Sequence, residues 1–146
     1  MSGIIGGAGS KSGVIGITEL DYEEGTFTAT LTSETPPSTP PTATGEYTKI
    51  GKVCHFNIYR FDNANTSGGS GQMLVTGLPF TAFEATAVVA PLSEGFDFNT
   101  SYRQLWTLAA TTLSAMESRS GTTWYQWNIT AGTAKYLVVS GSYRTA

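Results

Sequence analysis

The stretch Tyr47-Thr48-Lys49-Ile50-Gly51-Lys52-Val53-Cys54-His55-Phe56-Asn57-Ile58-Tyr59-Arg60-Phe61 decides the fold. Two apolar-bearing runs meet at Gly51, which marks a tight turn or a bulge. Beyond it the side chains alternate with period two. Cys54, Phe56 and Ile58 fall on one face, and Val53, His55, Asn57, Tyr59 and Phe61 on the other. Cys54 reads as core, because a free thiol behaves as a small hydrophobe. His55, on the opposite face with no ligand-type neighbour in sequence, reads as an ordinary strand residue.

Upstream, residues 33–45 carry Pro36, Pro37, Pro40 and Pro41 among Ser, Thr and Glu. Proline cannot donate to a ladder, so this segment is expected to be a long surface loop, partly polyproline II. Pro37-Ser38-Thr39-Pro40 has the spacing of an SH3-type ligand but lacks a basic flank. Before it, residues 26–31 alternate, with Phe27, Ala29 and Leu31 on the buried face and Thr26, Thr28 and Thr30 on the other. Residues 19–24 hold Glu19, Asp21, Glu23 and Glu24, a solvated junction that discourages stray strand pairing. Glu23 and Glu24 could not act together on one substrate, since strand neighbours point to opposite faces.

Downstream, residues 62–71 form a turn-rich loop and residues 72–76 a strand that ends at Gly77-Leu78-Pro79-Phe80. Residues 84–92 read as a mostly buried strand, turned by Glu94-Gly95. Residues 101–117 have two readings. Tyr102, Leu105, Trp106, Ala109, Leu113 and Met116 fit a helical stripe, while residues 104–108 and 112–116 fit two strands around an Ala-Ala-Thr turn. The strands are preferred, because the surroundings are all β and the Thr pair disfavours a helix interior. In residues 122–130, Trp124 and Gln126 alternate with Tyr125, Trp127 and Ile129, so one aromatic-heavy face is expected to be core. Residues 135–144 close the chain as a final strand. The fold class is thus all-β, an antiparallel sandwich or jelly roll of about eight short strands.

Composition excludes much of the usual chemistry. The chain has 146 residues, about one domain, with 8 basic and 11 acidic side chains and a net charge of −3. It lacks the basic surface that neutralises phosphates, so no nucleic acid is expected as a partner. No apolar run approaches the ~18–20 residues of a membrane span. No secretory leader is expected either, because the start lacks a basic n-region. With a single cysteine and a single histidine, multi-Cys zinc sites and two-His arrangements are out. Lys11-Ser12 does not complete a Walker loop, since Ile5 and Ser10 occupy the glycine positions, and Gly7-Ala8-Gly9 does not complete a dinucleotide fingerprint. No serine-nucleophile elbow sits at a strand-to-helix turn. The expectation is a non-enzyme without cofactor or metal.

Residues 1–18 form a Gly-rich leader with an approximate ten-residue repeat, Ser2-Gly3-Ile4-Ile5-Gly6 matching Ser12-Gly13-Val14-Ile15-Gly16. Its aliphatics need something to dock on, because ordering a glycine-rich segment is entropically costly. This gives an extended arm at 1–18 and a β-domain at 19–146. Two aromatic clusters, Trp124/Tyr125/Trp127 and Phe96/Phe98/Tyr102, read first as core and second as sugar-stacking surfaces.

The leader, from Ser2 to Gly16, resembles the N-terminus of small virion proteins of tailed bacteriophages. Tyr22-Glu23-Glu24-Gly25-Thr26-Phe27 is similar to that group's YEEGTW motif, with Phe27 in place of Trp. The stretch from Gly45 to Val53 is similar to its G-x-YTKIG-x-V strand pair, Gly77-Leu78-Pro79-Phe80-Thr81 to its GLPFT segment, and Ser140-Gly141-Ser142-Tyr143 to its closing strand. Residues 92–130 carry no such motif. The resemblance implies a phage particle protein, commonly labelled tail fibre, with a trimeric β-rich fold. The chain shows no heptads and no long repeat array, so the expectation shifts from fibre to a homotrimeric capsid decoration (cement) protein. Ile4, Ile5, Val14 and Ile15 would then dock on the major capsid protein or on a tail protein of the same phage. The alternative is a tail fibre or fibre tip that binds a host-surface receptor or glycan, with Trp124 and Tyr125 as contacts. Either way the expected location is the virion.

Overall fold

Gly51 holds the first central position of a two-residue turn with φ at +57°, the conformation a type II′ hairpin asks of glycine. The two strands it joins are the centre of the architecture. The computed structural model describes residues 21–88, 92–97, 103–118 and 124–146. The leader aliphatics Ile4, Ile5, Val14 and Ile15 lie outside the described residues. The strands are β1 (Tyr22–Thr35), β2 (Thr42–Ile50), β3 (Val53–Ala64), β4 (Ser70–Thr76), β5 (Thr86–Val88), β6 (Leu92–Glu94), β7 (Arg103–Ala109), β8 (Thr112–Ser118), β9 (Trp124–Gln126) and β10 (Lys135–Arg144). Every pairing is antiparallel, and all ten strands join one sheet in the order β5-β7-β8-β4-β1-β2-β3-β10-β6, with β9 added beside β8. The fold is all-β as expected, with ten strands among the described residues where about eight were anticipated.

The sheet curls into a half-barrel in which the end strand β5 packs against β10. Val88 of β5 packs so closely on Gly141 of β10 that a Cβ at position 141 would overlap it. Ala82 bridges Thr145 beside this contact. The two layers expected of a sandwich are therefore two halves of one continuous sheet. The curl has a visible cause in β3. Ile58, Phe61 and Ala64 pair with Val139, Leu137 and Lys135, so three residues of β3 twice face two of β10. Each extra residue is a β-bulge that bends the strand and strengthens its twist. Asn63 sits in the second bulge with φ at +49°, a conformation asparagine tolerates better than most residues. The bulges also correct the strict alternation: Phe61, expected on the face of His55 and Tyr59, is turned inward and is 1% exposed.

Inside the curl, Ala29, Leu31, Cys54, Ile58, Met73, Val75, Trp106, Leu108, Leu113, Ala115, Leu137 and Val139 are completely buried. Each large member contributes about 1.5–3 kcal/mol by leaving water. Trp106 and Trp127 meet edge to face at 6.3 Å. Between β1, β2, β3 and β10 the packing takes a particular form. Phe27 pairs with Gly45, Tyr47 with Gly25, and Phe56 with Gly141. In the first two pairs the ring occupies the space a Cβ would need: one built on Gly25 lies 2.9 Å from the Tyr47 hydroxyl, and one on Gly45 overlaps the Phe27 ring, while at Gly141 the Phe56 ring comes within 3.2 Å beside Val88. An aromatic ring lying across an opposed glycine shields bare backbone and lets the sheet fold tightly toward its concave side.

Both ends are closed by irregular chain. At one end, residues 77–83 run as a strap from the β7–β8 turn to the end of β10. Leu78 and Ala82 donate to the Thr111 and Ala110 carbonyls (3.3 and 2.8 Å), and Phe83 donates to that of Arg144 (2.9 Å). Tyr143 locks the strap: its hydroxyl donates to the Phe80 carbonyl (2.9 Å) and accepts from the Phe80 amide (3.3 Å). At the other end, the buried Thr66 hydroxyl donates to the Thr130 carbonyl (2.7 Å), and the Trp127 indole donates to the Asp97 carbonyl (3.1 Å).

Two expectations need correction, and one of two competing readings is decided. The proline loop is confined to residues 36–41, because the Thr-rich flanks pair: Thr30 and Ala29 of β1 take Thr42 and Ala43 of β2 as partners. The two strands preferred for residues 104–108 and 112–116 are present as β7 and β8, not a helical stripe. Leu105 faces Met116 and Leu108 faces Leu113 across the β7–β8 hairpin. Of residues 122–130, those described (124–130) form a three-residue strand, β9, followed by a single bridge from Asn128 to Gln72.

Two outcomes follow from this packing. Gly45→Ala should cost about 1–3 kcal/mol by overpacking, and Phe27→Ala in the same chain should recover about 1 kcal/mol of it. Additive losses in urea unfolding would show that the ring does not occupy the glycine's space. Burial pushes the Tyr143 phenol well above its ordinary value of 10.0 and the Cys54 thiol above 9.0. The unfolded chain releases these protons first, so stability holds below about pH 9 and declines as pH rises through the alkaline range. Tyr143→Phe should cost about 1–3 kcal/mol at pH 7 and flatten the alkaline decline, measured as melting temperature against pH.

Candidate functional site

The alternation that buries Trp106 and Leu108 sends Leu105 and Thr107 of β7 outward. In the same way, burial of Leu113 and Ala115 sends Met116 of β8 outward. Leu105 and Met116 are direct cross-strand partners, and Ala87 of β5 pairs with Thr107. β9 then adds Trp124 beside Ser118. Together these groups line an open trough of about 270 Å³, walled by Ala85 and Ala87 on one side and Trp124 on the other. Trp124 is 61% exposed. The trough and the half-bare indole leave apolar surface on the outer face that a contact with another protein would remove from water.

The expected contact pair is separated by the structure. Trp124 lies on the outward row with Ser118. Tyr125, 44% exposed, lies opposite Glu117 on the inward-facing row of β8. Successive strand residues point to opposite faces, so Trp124 and Tyr125 cannot grip one ligand together. Trp127, third of that cluster, is core, as is Phe96, while Phe98 and Tyr102 lie outside the described residues.

Groups that carry chemistry elsewhere are also kept apart. Cys54 is fully buried beneath Tyr143 while His55 points outward, so they form no nucleophile–base pair. Burial raises the Cys54 thiol, which keeps it protonated and unreactive. Glu23 accepts from the Tyr47 phenol at 2.8 Å and Glu24 from that of Tyr22, on opposite faces as the strand reading required. Among the described residues no group of three His, Cys, Asp or Glu side chains comes together to hold a metal ion.

Sequence reasoning did not pick out Leu105, Met116, Ala85 and Ala87 as a surface. The available signal was that β7 carries apolar residues on both faces, a redundancy that a half-buried strand does not need. No protein-family model matches the chain, and no curated protein matches it.

Proposed function

We propose that the chain is a structural protein of a tailed-bacteriophage particle, a homotrimer that decorates the capsid and is held there by its N-terminal arm. The observation that carries the assembly part is the apolar trough at Leu105, Met116 and Trp124, which a second copy of the chain covers. Tryptophan anchors of this kind dominate the energy of protein contacts, and cyclic closure covers such a surface on every protomer. The phage part rests on the sequence resemblance, whose motifs have structural work in the fold: the segments from Tyr22 to Phe27 and from Gly45 to Val53 build the ring-on-glycine rows, and residues 77–81 open the strap. They support a shared fold with that group. The arm, with Ile4, Ile5, Val14 and Ile15, supplies the attachment to the major capsid protein.

Light scattering on the pure protein should give a trimer, and Trp124→Glu combined with Met116→Glu should give a folded monomer, since loss of an anchor costs about 2 kcal/mol or more per contact. A trimer that survives both charges removes the trough from the interface. Ile4→Asp with Ile15→Asp should leave the trimer intact and abolish incorporation into particles. Copy number per purified particle tests the location: parity with the major capsid protein is expected, whereas a small multiple of three places the protein on the tail.

A further inference from the structure

A second surface lies on the convex face of β1, β2 and β3, away from the apolar trough, and its chemistry is different. Two adjacent cross-strand rows form its floor. Glu24, Thr48 and His55 face one another in the first, and Thr26, Glu46 and Asn57 in the second. They line an open depression of about 530 Å³. Tyr22 stands at one end and Tyr59 at the other, 55% and 48% exposed. Each phenol leans inward and donates to a carboxylate oxygen of the floor, Tyr22 to Glu24 and Tyr59 to Oε2 of Glu46 at 2.7 Å. The carboxylates push both phenols up, so these bonds persist across the neutral range. The distance from the Tyr22 row to the Tyr59 position is three two-residue steps, roughly 20 Å.

We propose that this depression binds a neutral oligosaccharide. Each carboxylate is held by a tyrosine on one oxygen and keeps its other oxygen for a ligand. A carboxylate only accepts, Asn57 both donates and accepts, and the Thr26 and Thr48 hydroxyls do either. This is the donor–acceptor set that vicinal hydroxyls satisfy. The half-exposed tyrosines offer amphipathic ring surface for the C–H face of a pyranose at either end. The length accommodates several linked rings. No lysine or arginine lines the floor, and two carboxylates repel sulfated, phosphorylated or sialylated glycans. The site does not depend on the assembly reading, because it uses none of the residues of the apolar trough.

The test applies the full chain to an array of neutral, acidic and amine-bearing glycans, followed by calorimetric titration with the best neutral oligosaccharide. Binding to neutral glycans is expected. Glu46→Gln and Tyr59→Ala should each weaken it about tenfold or more, since a hydrogen bond to a charged acceptor is worth at least that factor. Glu24→Gln should do the same, and the isosteric amides keep the fold, checked by unchanged melting temperature. Asp62→Asn, on β3 outside the depression, should bind like the parent. The monomeric Trp124→Glu, Met116→Glu protein should bind as well as the trimer, per site. Retention of no neutral glycan, retention of amine-bearing glycans alone, or unchanged affinity in Glu46→Gln and Tyr59→Ala would each overturn the proposal.

Discussion

The rings of Phe27, Tyr47 and Phe56 lying across Gly45, Gly25 and Gly141 set the geometry on which the rest depends. A strand residue without a side chain is ordinarily a weakness, because it loses backbone freedom and offers nothing to pack. Here the vacancy is filled from the neighbouring strand. One row of the inner face then runs Gly25, Tyr47, Phe56, Gly141 across β1, β2, β3 and β10, two rings flanked by two glycines. Such a face can bend inward without overpacking, and the bulges of β3 add the twist. Val88 can reach Gly141 only because the bend is that tight.

Closure of this kind leaves a small domain with little interior and much convex surface. The interior takes the aliphatic and aromatic residues, and the strap and the Thr66 loop stop the two ends. The convex surface divides by strand. The β5–β7–β8–β9 sector is apolar and suits a contact with another protein. The β1–β2–β3 sector is lined by carboxylates, hydroxyls and tyrosines. Tyr47 and Glu23 show how local this division is, since they sit on the concave side of the strands whose convex side carries Tyr22, Glu24 and Tyr59. One strand thus gives one set of side chains to the core and the next to the outer surface.

Much of the fold is legible in the sequence, for local reasons. Period-two alternation places Cys54, Phe56 and Ile58 inside and His55 outside, and it places Phe27, Ala29 and Leu31 inside. The two-strand reading of residues 101–117 is preferred in sequence from its all-β surroundings and its Thr pair, although Leu105, Leu113 and Met116 suit both periods. Their cross-strand pairing settles the matter, and pairing is not a local property. Phe61 defeats alternation because a bulge leaves no mark in the residue pattern before the partner strand is known. The extension of β1 and β2 into the Thr-rich flanks of the proline loop depends likewise on their finding each other. Both outward surfaces are invisible for the same reason. Leu105 and Ala87, or Glu24 and Glu46, become neighbours only when strands distant in sequence come into register.

Cys54, the one thiol of the chain, lies fully buried under Tyr143 and beside the strap. No reagent reaches it while the curl is closed. Its rate of alkylation is consequently a clock for opening events of the native chain, and it requires no introduced label. Because the sulfur sits between the central hairpin and the strand that closes the sheet, that clock counts only excursions in which the closure itself comes apart. The same reading can be taken in free protein and in any larger assembly, so the molecule carries its own gauge of how much an attached partner slows its breathing.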